Sequence, residues 1–311
     1  MSAQLAIRLL VMVSFSTVAS VAQSTGAVKG ARPPAYPYAL EESGTVTSPL
    51  ARKDLDLRAA ISAQPDSPEL LYAYALVLRQ EGKAHESLAV YTRAAGLRKP
   101  TAEELRSVAL NYVMLSDYDD AIHWLEQAAQ TDPRNVKVLY SLGRCYYSKD
   151  RYEDARRLYE KVLAVQPRNL KAEENLGLVY EATNETAKAE AALRNAAGWA
   201  DVGGADEWPF LDLGGFLLDH NRAPEAVDSL RTAVHIKPSC AACHEKLGRA
   251  LIAMHDATRG IDELEEATRL EPANPRAHYE LGRALRQSGQ VGKAQRELDI
   301  SQRLYAAHSQ E

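Results

Sequence analysis

The segment Cys240-Ala241-Ala242-Cys243-His244 carries the sharpest chemical signal in the chain. Two cysteines separated by two residues and followed by histidine form the sequence of a c-type haem attachment site. In such a site the thiols bond the haem vinyl groups and the histidine binds iron, and Met254 is the candidate for a second iron ligand. One hypothesis is therefore a redox or electron-transfer protein with covalent haem or an active dithiol here.

Other interpretations of this segment remain open. In an oxidising compartment Cys240 and Cys243 form a local disulfide, whereas two inert thiols at a helix start are the most common outcome for such a pair. A redox-active dithiol is a further alternative because a helix N-terminus lowers the pKa of a thiol. A metal site built from Cys240, Cys243, His244 and His278 is the last alternative, although the two histidines lie one repeat apart. Against haem, His244 falls on an apolar helix position that His278 repeats, which indicates a packing role inside a tightly stacked helix pair.

The elements that must position this segment follow from a repeat of 34 residues. A small residue recurs at Ala75, Ala109, Gly143, Gly177, Gly214, Gly248 and Gly282, and only the step from Gly177 to Gly214 is longer, at 37 residues. A second small residue follows twelve positions later, at Ser87, Ala121, Ala155, Ala189, Ala226, Gly260 and Ala294. A fixed period of this length is typical of stacked helix pairs.

The pattern within each unit predicts two closely crossing helices. In the third unit, Leu139, Leu142 and Tyr146 flank Gly143 at offsets that place them on one helix face. We expect the small residues to let the two helix backbones approach, with larger residues such as Tyr159 filling the space around the crossing. Turns between the helices are predicted at Gly82, Asp150, Asn184, Asn221 and Gly289.

The third unit, Leu139–Pro167, has Leu-Gly, Tyr, Ala, Tyr and a closing Pro in order, and it resembles the tetratricopeptide repeat family. The resemblance extends over about 68–308, although Gly260 replaces the second-helix alanine of the sixth unit. It implies an all-α, right-handed superhelical solenoid of helix–turn–helix repeats. It also implies an inner groove, lined by the first helices, that binds peptides or other proteins.

The resemblance identifies candidate groove residues by their distance from the repeated glycine. In the family these positions lie six and three residues before it, and one and four residues after it. In this chain they are Lys137, Tyr140, Arg144 and Tyr147 in the third unit, Trp208, Leu211 and Leu218 in the fifth, and Arg276, Tyr279, Arg283 and Arg286 in the seventh. Arginine with tyrosine suits carboxylates and the backbone of a partner segment, and the apolar set would receive a leucine or phenylalanine anchor.

The predicted boundaries comprise a signal peptide, a linker, a capping helix, seven repeats and a short tail. The signal peptide spans 1–22, the linker 23–50 and the capping helix 51–64. The seven repeats span about 68–101, 102–135, 136–169, 170–206, 207–240, 241–274 and 275–308, and the tail is 309–311. The longer step places three extra residues at about 198–206, where the sequence favours a lengthened loop over a hinge.

The N-terminal segment and the composition predict an exported binding protein. Arg8, an apolar core at Leu9–Phe15 and small residues before Gln23 are typical of a secretory signal cleaved near Ala22, with an uncleaved anchor as the alternative. No later stretch reaches the ~20 apolar residues of a membrane span. The protein would then be periplasmic or extracellular.

The remaining observations favour a non-enzymatic scaffold that needs no cofactor. A formal net charge of −5 argues against a nucleic-acid partner. The chain has no HExxH, phosphate-binding loop or GxSxG motif. A protein or peptide partner is expected, such as an envelope protein, a secretion component or the subunits of an assembly.

Overall fold

The computed structural model describes residues 49–200 and 206–308, which form helices and no strand. This confirms the predicted all-α fold class. The predicted signal peptide at 1–22, the linker up to residue 48 and the tail at 309–311 lie outside the described residues, as do residues 201–205 of the insertion.

The chain divides into two compact units, Met1–Pro167 and Arg168–Glu311. The described helices of the first unit are α1 (Pro49–Ala63), α2 (Pro68–Gln80), α3 (Ala84–Leu97), α4 (Ala102–Met114), α5 (Tyr118–Thr131), α6 (Val136–Ser148) and α7 (Tyr152–Val165). Those of the second are α8 (Leu170–Ala182), α9 (Thr186–Trp199), α10 (Trp208–Asp219), α11 (Ala223–Ile236), α12 (Ala241–Ala253), α13 (Ala257–Leu270), α14 (Pro275–Gln287) and α15 (Val291–His308). The segment predicted as a capping helix forms α1 and packs against α2.

Five of the seven first helices that the structure describes begin at a polar cap that lies eight residues before the repeated small residue. The side-chain oxygen of this residue accepts a hydrogen bond from the third backbone N–H of its helix, satisfying a group that has no partner within the helix. The residues that cap in this way are Ser67, Thr101, Asn135, Asn169 and Asn274. The repeat period is thus visible in the caps as well as in the core.

A residue with positive φ follows each first helix, two residues after the last helical residue and seven positions after the small residue. Next to Gly82, for example, the backbone N–H of Lys83 donates to the carbonyl oxygen of Leu78 at 2.9 Å, which closes the helix end. The positive-φ residues are Gly82, Ser116, Asp150, Asn184, Asn221, His255 and Gly289. This confirms the five predicted turns and adds Ser116 and His255, whose residue types gave no turn signal.

The two helices of a unit cross where the repeated glycine meets a large side chain of the second helix. A Cβ atom added to Gly143 would lie 2.7 Å from Cε1 of Tyr159, and one added to Gly214 would lie 2.5 Å from Cγ of Leu230. Real Cβ contacts are never this short, so only glycine fits these positions without a shift. The predicted close approach is confirmed. At these two crossings the glycine meets the residue four positions after the second-helix alanine.

Four charged side chains join α9 to the start of α11, on either side of the three-residue insertion. Arg194 pairs with Glu190 at 2.9 Å and with Glu225 at 2.7 Å, while Arg222 pairs with Glu190 at 2.7 Å and with Glu225 at 2.6 Å. The hydrogen bonds from Arg222 and Arg194 lower the pKa of Glu225 to about 2. The helices that flank the insertion are therefore linked by a closed ring of charges.

Candidate binding surface

The first helices of the last two units place the predicted groove residue Arg276 among charged residues of both helices. Arg276 on α14 donates from Nε to Oε1 of Glu245 on α12 at 3.0 Å. Arg249 on α12 lies 3.9 Å from Glu245 and 3.7 Å from Glu280 on α14. We call this surface the α12–α14 face, defined by Glu245, Arg249, Arg276, Tyr279, Glu280, Arg283 and Arg286.

The α14 side of this face keeps an aromatic ring and two guanidinium groups accessible. Tyr279 is 45% exposed, which is unusual for a large apolar ring in this chain. The guanidinium carbon of Arg283 lies 5.7 Å from the centroid of that ring, and Arg283 also donates to Glu280 at 3.2 Å. Arg286 is exposed one turn further along the helix. Such a surface offers a stacking platform beside donors for carboxylate or carbonyl oxygens.

The candidate residues of the third unit are less accessible. Lys137 is exposed, whereas Tyr140 and Arg144 are half-buried. Tyr147 is only 8% exposed, and its ring packs edge-on against Tyr152 of α7 with centroids 5.5 Å apart. The structure therefore removes Tyr147 from the candidate surface, because contact with the second helix of its own unit covers it.

The apolar candidates of the fifth unit belong mainly to the core. Leu211 is 2% exposed and lies in a cluster built from α9 to α12. Trp208 and Leu218 pack against the same cluster and are half-buried. Leu211 is therefore not available to receive a leucine or phenylalanine anchor, and the predicted apolar patch is smaller than expected.

Sequence reasoning missed Glu245, Arg249 and Glu280. The first two occupy the sixth unit's positions three residues before and one residue after Gly248, so applying the same offsets to that unit would have found them. Glu280 lies outside those offsets and is recognised from its contacts with Arg283 at 3.2 Å and with Arg249 at 3.7 Å. The missed acidic residues matter because they hold Arg276 and Arg249 in place across two helices.

The cysteine pair forms a disulfide at the start of α12. Cys240 is the cap residue of that helix, and its Sγ accepts a hydrogen bond from the backbone N–H of Cys243 at 3.1 Å. The interpretation as two inert thiols is therefore wrong. Both sulfurs are bonded to each other rather than available to haem vinyl groups.

His244 follows the disulfide and is held on both ring nitrogens. Nδ1 lies 2.6 Å from Oε2 of Glu263 on α13, and Nε2 lies 3.0 Å from the carbonyl oxygen of Pro238. The bond to Glu263 raises the pKa of His244, since it favours the charged imidazolium, and this outweighs the opposing effect of burial. Met254 lies ten residues further on, about 15 Å along the helix. These residues do not fit a c-type haem.

The seventh unit repeats the histidine geometry without cysteines. Nδ1 of His278 lies 2.6 Å from Oε2 of Glu297, and its Nε2 lies 3.1 Å from the carbonyl oxygen of Pro272. The metal-site alternative finds no support either, since no group of three metal-ligating side chains comes together within the described parts of the chain. The histidine at this position ties the two helices of a unit to the preceding loop.

Comparison with known proteins gives a family and several relatives. A family model described as a tetratricopeptide repeat matches residues 52–101, 147–202 and 245–307, which is more than half of the chain, and a second with the same description matches 112–164. The BBSome complex member BBS4 of Xenopus tropicalis is 32% identical over 76 residues, covering 24% of this chain and 15% of the relative. The chain thus spans less than a quarter of the length of the curated relatives it matches.

Solved structures show the same fold at low sequence identity. A tetratricopeptide repeat protein from Parabacteroides merdae is 16% identical with a TM-score of 0.61, covering 81% of this chain and 92% of that one. Yeast Tom70 is also 16% identical with a TM-score of 0.61, covering 82% of this chain and 55% of that one. No helix in the described part of the chain has the length and apolar character of a membrane span. The chain belongs to the tetratricopeptide repeat family.

Proposed function

We propose that this protein is a non-enzymatic scaffold that binds a segment of a partner protein on its first-helix surfaces, with the α12–α14 face as the principal contact. The observation that carries this proposal is the accessible pairing of Tyr279 with Arg283 beside Arg276. Family membership supports a protein partner, since proteins of this fold act as scaffolds for other proteins.

The α12–α14 face favours a partner segment that carries a carboxylate. Arg276 and Arg249 are already paired with acidic residues, so their main effect is to fix the positions of the two helices. Arg283, whose contact with Glu280 lies within its own helix, and Arg286 are exposed residues. Arginine binds carboxylates through two parallel hydrogen bonds. Because the face is preformed, the ordering cost of binding falls on the partner segment.

We also propose that the protein acts outside the cytoplasm. The pattern of residues 1–22 supports export, and a disulfide between Cys240 and Cys243 persists in an oxidising compartment. Fractionation of the native host followed by N-terminal sequencing tests this directly. A mature chain that begins near Gln23 in the exported fraction is expected, and an intact N-terminus in the cytosolic fraction would contradict it.

The binding proposal is tested with peptides selected from a random display library against the purified protein. We expect the selected peptides to bind a Tyr279→Ala, Arg283→Glu variant at least tenfold more weakly, by isothermal calorimetry. The matched control is Tyr305→Ala, Arg303→Glu, which changes the same residue types at exposed positions of α15. Equal binding to all three proteins, with circular dichroism unchanged, would place recognition elsewhere and overturn the proposal.

A further inference from the structure

The helix α1 occupies the place of a second helix, one repeat before α3. Leu57 and Ala60 of α1 precede Tyr91 and Ala94 of α3 by one period of 34 residues. In α3 these two positions belong to a core cluster shared with α2, and Tyr91 and Ala94 are 4% and 0% exposed. Leu57 and Ala60 are only half-buried. The side of α1 that a first helix covers in the complete repeats is therefore partly open.

A charged residue stands on this open side in place of a small one. Lys53 lies one period before Ser87, at the position where the complete repeats have serine, alanine or glycine. Lys53 is exposed, whereas Ser87 is fully buried and donates to the carbonyl oxygen of Ala75 at 2.6 Å. A lysine side chain prevents another helix from crossing as closely as α2 crosses α3. The open side therefore suits an extended segment that can pair with an ammonium group.

The chain directly before α1 supplies apolar and acidic side chains in a fixed order. Tyr38 and Leu40 come first, the acidic pair Glu41-Glu42 follows, and six residues then lead into Pro49. Gly44 favours a turn within these six residues. Six residues span up to about 20 Å, so they are sufficient for the chain to reverse direction and run back along the helix.

The two sets of side chains match in spacing as well as in type. On α1, Lys53 and Ala60 lie seven residues apart, which is about 10 Å along the helix axis. In an extended segment, Tyr38 and Glu41 also lie about 10 Å apart. An antiparallel arrangement therefore brings the acidic pair to Lys53 when the tyrosine reaches Ala60.

We propose that residues 36–42 of this chain cover the open side of α1. The acidic pair in this segment binds Lys53, and its tyrosine and leucine side chains pack on Leu57 and Ala60. The segment thus takes the place of a first helix for α1 and buries apolar side chains that the described fold leaves half-buried. This contact is independent of the proposed binding function.

The first test measures how fast chymotrypsin cleaves the purified full chain after Tyr38. We expect cleavage at least tenfold faster in Lys53→Glu than in the natural protein, because the acidic pair is then repelled from α1. The matched control is Arg52→Glu, which makes the same charge change at an exposed neighbour on the solvent side of the helix, and its rate should stay natural. Equal rates in all three proteins, with circular dichroism unchanged, would overturn the proposal.

A charge exchange sharpens this first test. Adding Glu41→Lys and Glu42→Lys to the Lys53→Glu variant restores opposite charges, so we expect cleavage after Tyr38 to slow to within about threefold of the natural rate. Cleavage that stays as fast as in Lys53→Glu alone would show that the acidic pair does not contact Lys53, and it would contradict the proposal.

The second test joins the natural side chains with a water-soluble carbodiimide, which condenses a carboxylate and an amine in contact into an amide with loss of water. We expect an amide between Lys53 and Glu41 or Glu42, found by peptide mass spectrometry, with a yield at least tenfold lower in urea that unfolds the chain. An equal yield in urea would show mere proximity along the chain and overturn the proposal.

Mixing isotope-labelled with unlabelled protein before the carbodiimide reaction separates contacts within one chain from contacts between two chains. We expect every amide to join segments of the same isotopic composition. Amides that join a labelled to an unlabelled chain would assign the open side of α1 to a second copy of the protein and contradict the proposal.

Discussion

The sixth and seventh units share one histidine geometry and differ in what surrounds it. His244 and His278 each contact a second-helix glutamate at 2.6 Å and a preceding proline carbonyl at 3.0 and 3.1 Å. The histidine arrangement therefore belongs to the repeat and serves its packing. The cystine occurs in the sixth unit and not in the seventh, so it is the cystine, and not the histidine, that distinguishes the two units.

The helix crossing shows a second difference between these units. In the sixth unit, a Cβ atom added to Gly260 would lie 2.8 Å from Cδ1 of Ile252, so this isoleucine fills the space that an alanine side chain occupies in the seventh. The seventh unit has Ala294 at the small position and Arg286 in place of the isoleucine. The residue four positions after the repeated glycine thus packs against the helix crossing in the sixth unit, where it is Ile252. In the seventh unit it is Arg286, which faces solvent and contributes to the α12–α14 face.

The largest expected effect comes from adding a methyl group at the two crossings. A Cβ atom at Gly248 would lie 2.8 Å from the carbonyl oxygen of Gly260, whereas one at Gly282 would lie 3.2 Å from that of Ala294. Backbone cannot move aside as a side chain does, so Gly248→Ala should lower the free energy of unfolding by about 1–3 kcal/mol. Gly282→Ala should cost clearly less, as measured by urea unfolding. Equal losses in the two variants would show that the crossings do not differ.

The next largest effect on stability is expected when the cystine cap of the sixth unit is replaced by the cap of the seventh. Cys240→Ala, Cys243→Ala removes both the disulfide and the cap, and the closed loop of four residues suggests a loss of about 2 kcal/mol. Cys240→Asn, Cys243→Ala copies the seventh unit, and the asparagine cap should restore about 1 kcal/mol of this. Thermal unfolding of both variants checks the difference. Identical stability would mean that capping contributes nothing at this helix.

The sequence predicted the repeat and its crossings because residue types that permit close approach are few. Glycine at 143 and 214 can be recognised from spacing alone. The sequence was less informative where contacts between side chains decide whether a residue is exposed. Tyr147, for example, has a groove position but is covered by Tyr152. The partners Glu263 and Glu297 lie nineteen residues from their histidines, and only their shared repeat spacing hinted at the pairing.

The position of Cys240 in the repeat also indicates that it caps a helix. Cys240 lies eight residues before Gly248, at the position where Asn274 and Asn135 cap their helices. The short motif by itself predicts haem chemistry, whereas its position in the repeat predicts a helix start. The bond between the two sulfurs, in contrast, depends on side-chain direction, which spacing does not give.

A smaller effect concerns the pH response of the sixth unit. The pKa of His244 is raised by its bond to Glu263, so the pair contributes full stability below the ordinary histidine pKa of about 6.5 and loses it as the pH rises through the folded value. Glu263→Gln should lower the pKa of His244 in an NMR titration. Glu297→Gln in the seventh unit is the matched control and should leave the His244 titration unchanged. A shift in the control would mean that the two histidines are not independent.

The smallest expected effect is on stability at the α12–α14 face. Arg283 is exposed and makes one contact with Glu280 on its own helix besides its stacking on Tyr279. Arg283→Glu should therefore change the free energy of unfolding by no more than about 0.5 kcal/mol, although it should weaken peptide binding. Urea unfolding checks this, and a large loss would show that the residue supports the fold instead of a binding surface.

The most direct test of the central claim, that the Cys–Ala–Ala–Cys–His segment is a disulfide-capped helix start, is the mass of the peptide Thr232–Lys246. The peptide is prepared with trypsin and without reductant from protein of the native host. We expect a mass lower than that of the reduced peptide by two hydrogen atoms, because Cys240 and Cys243 are joined. A peptide heavier by a haem group, or one with two free thiols that react with iodoacetamide, would contradict it.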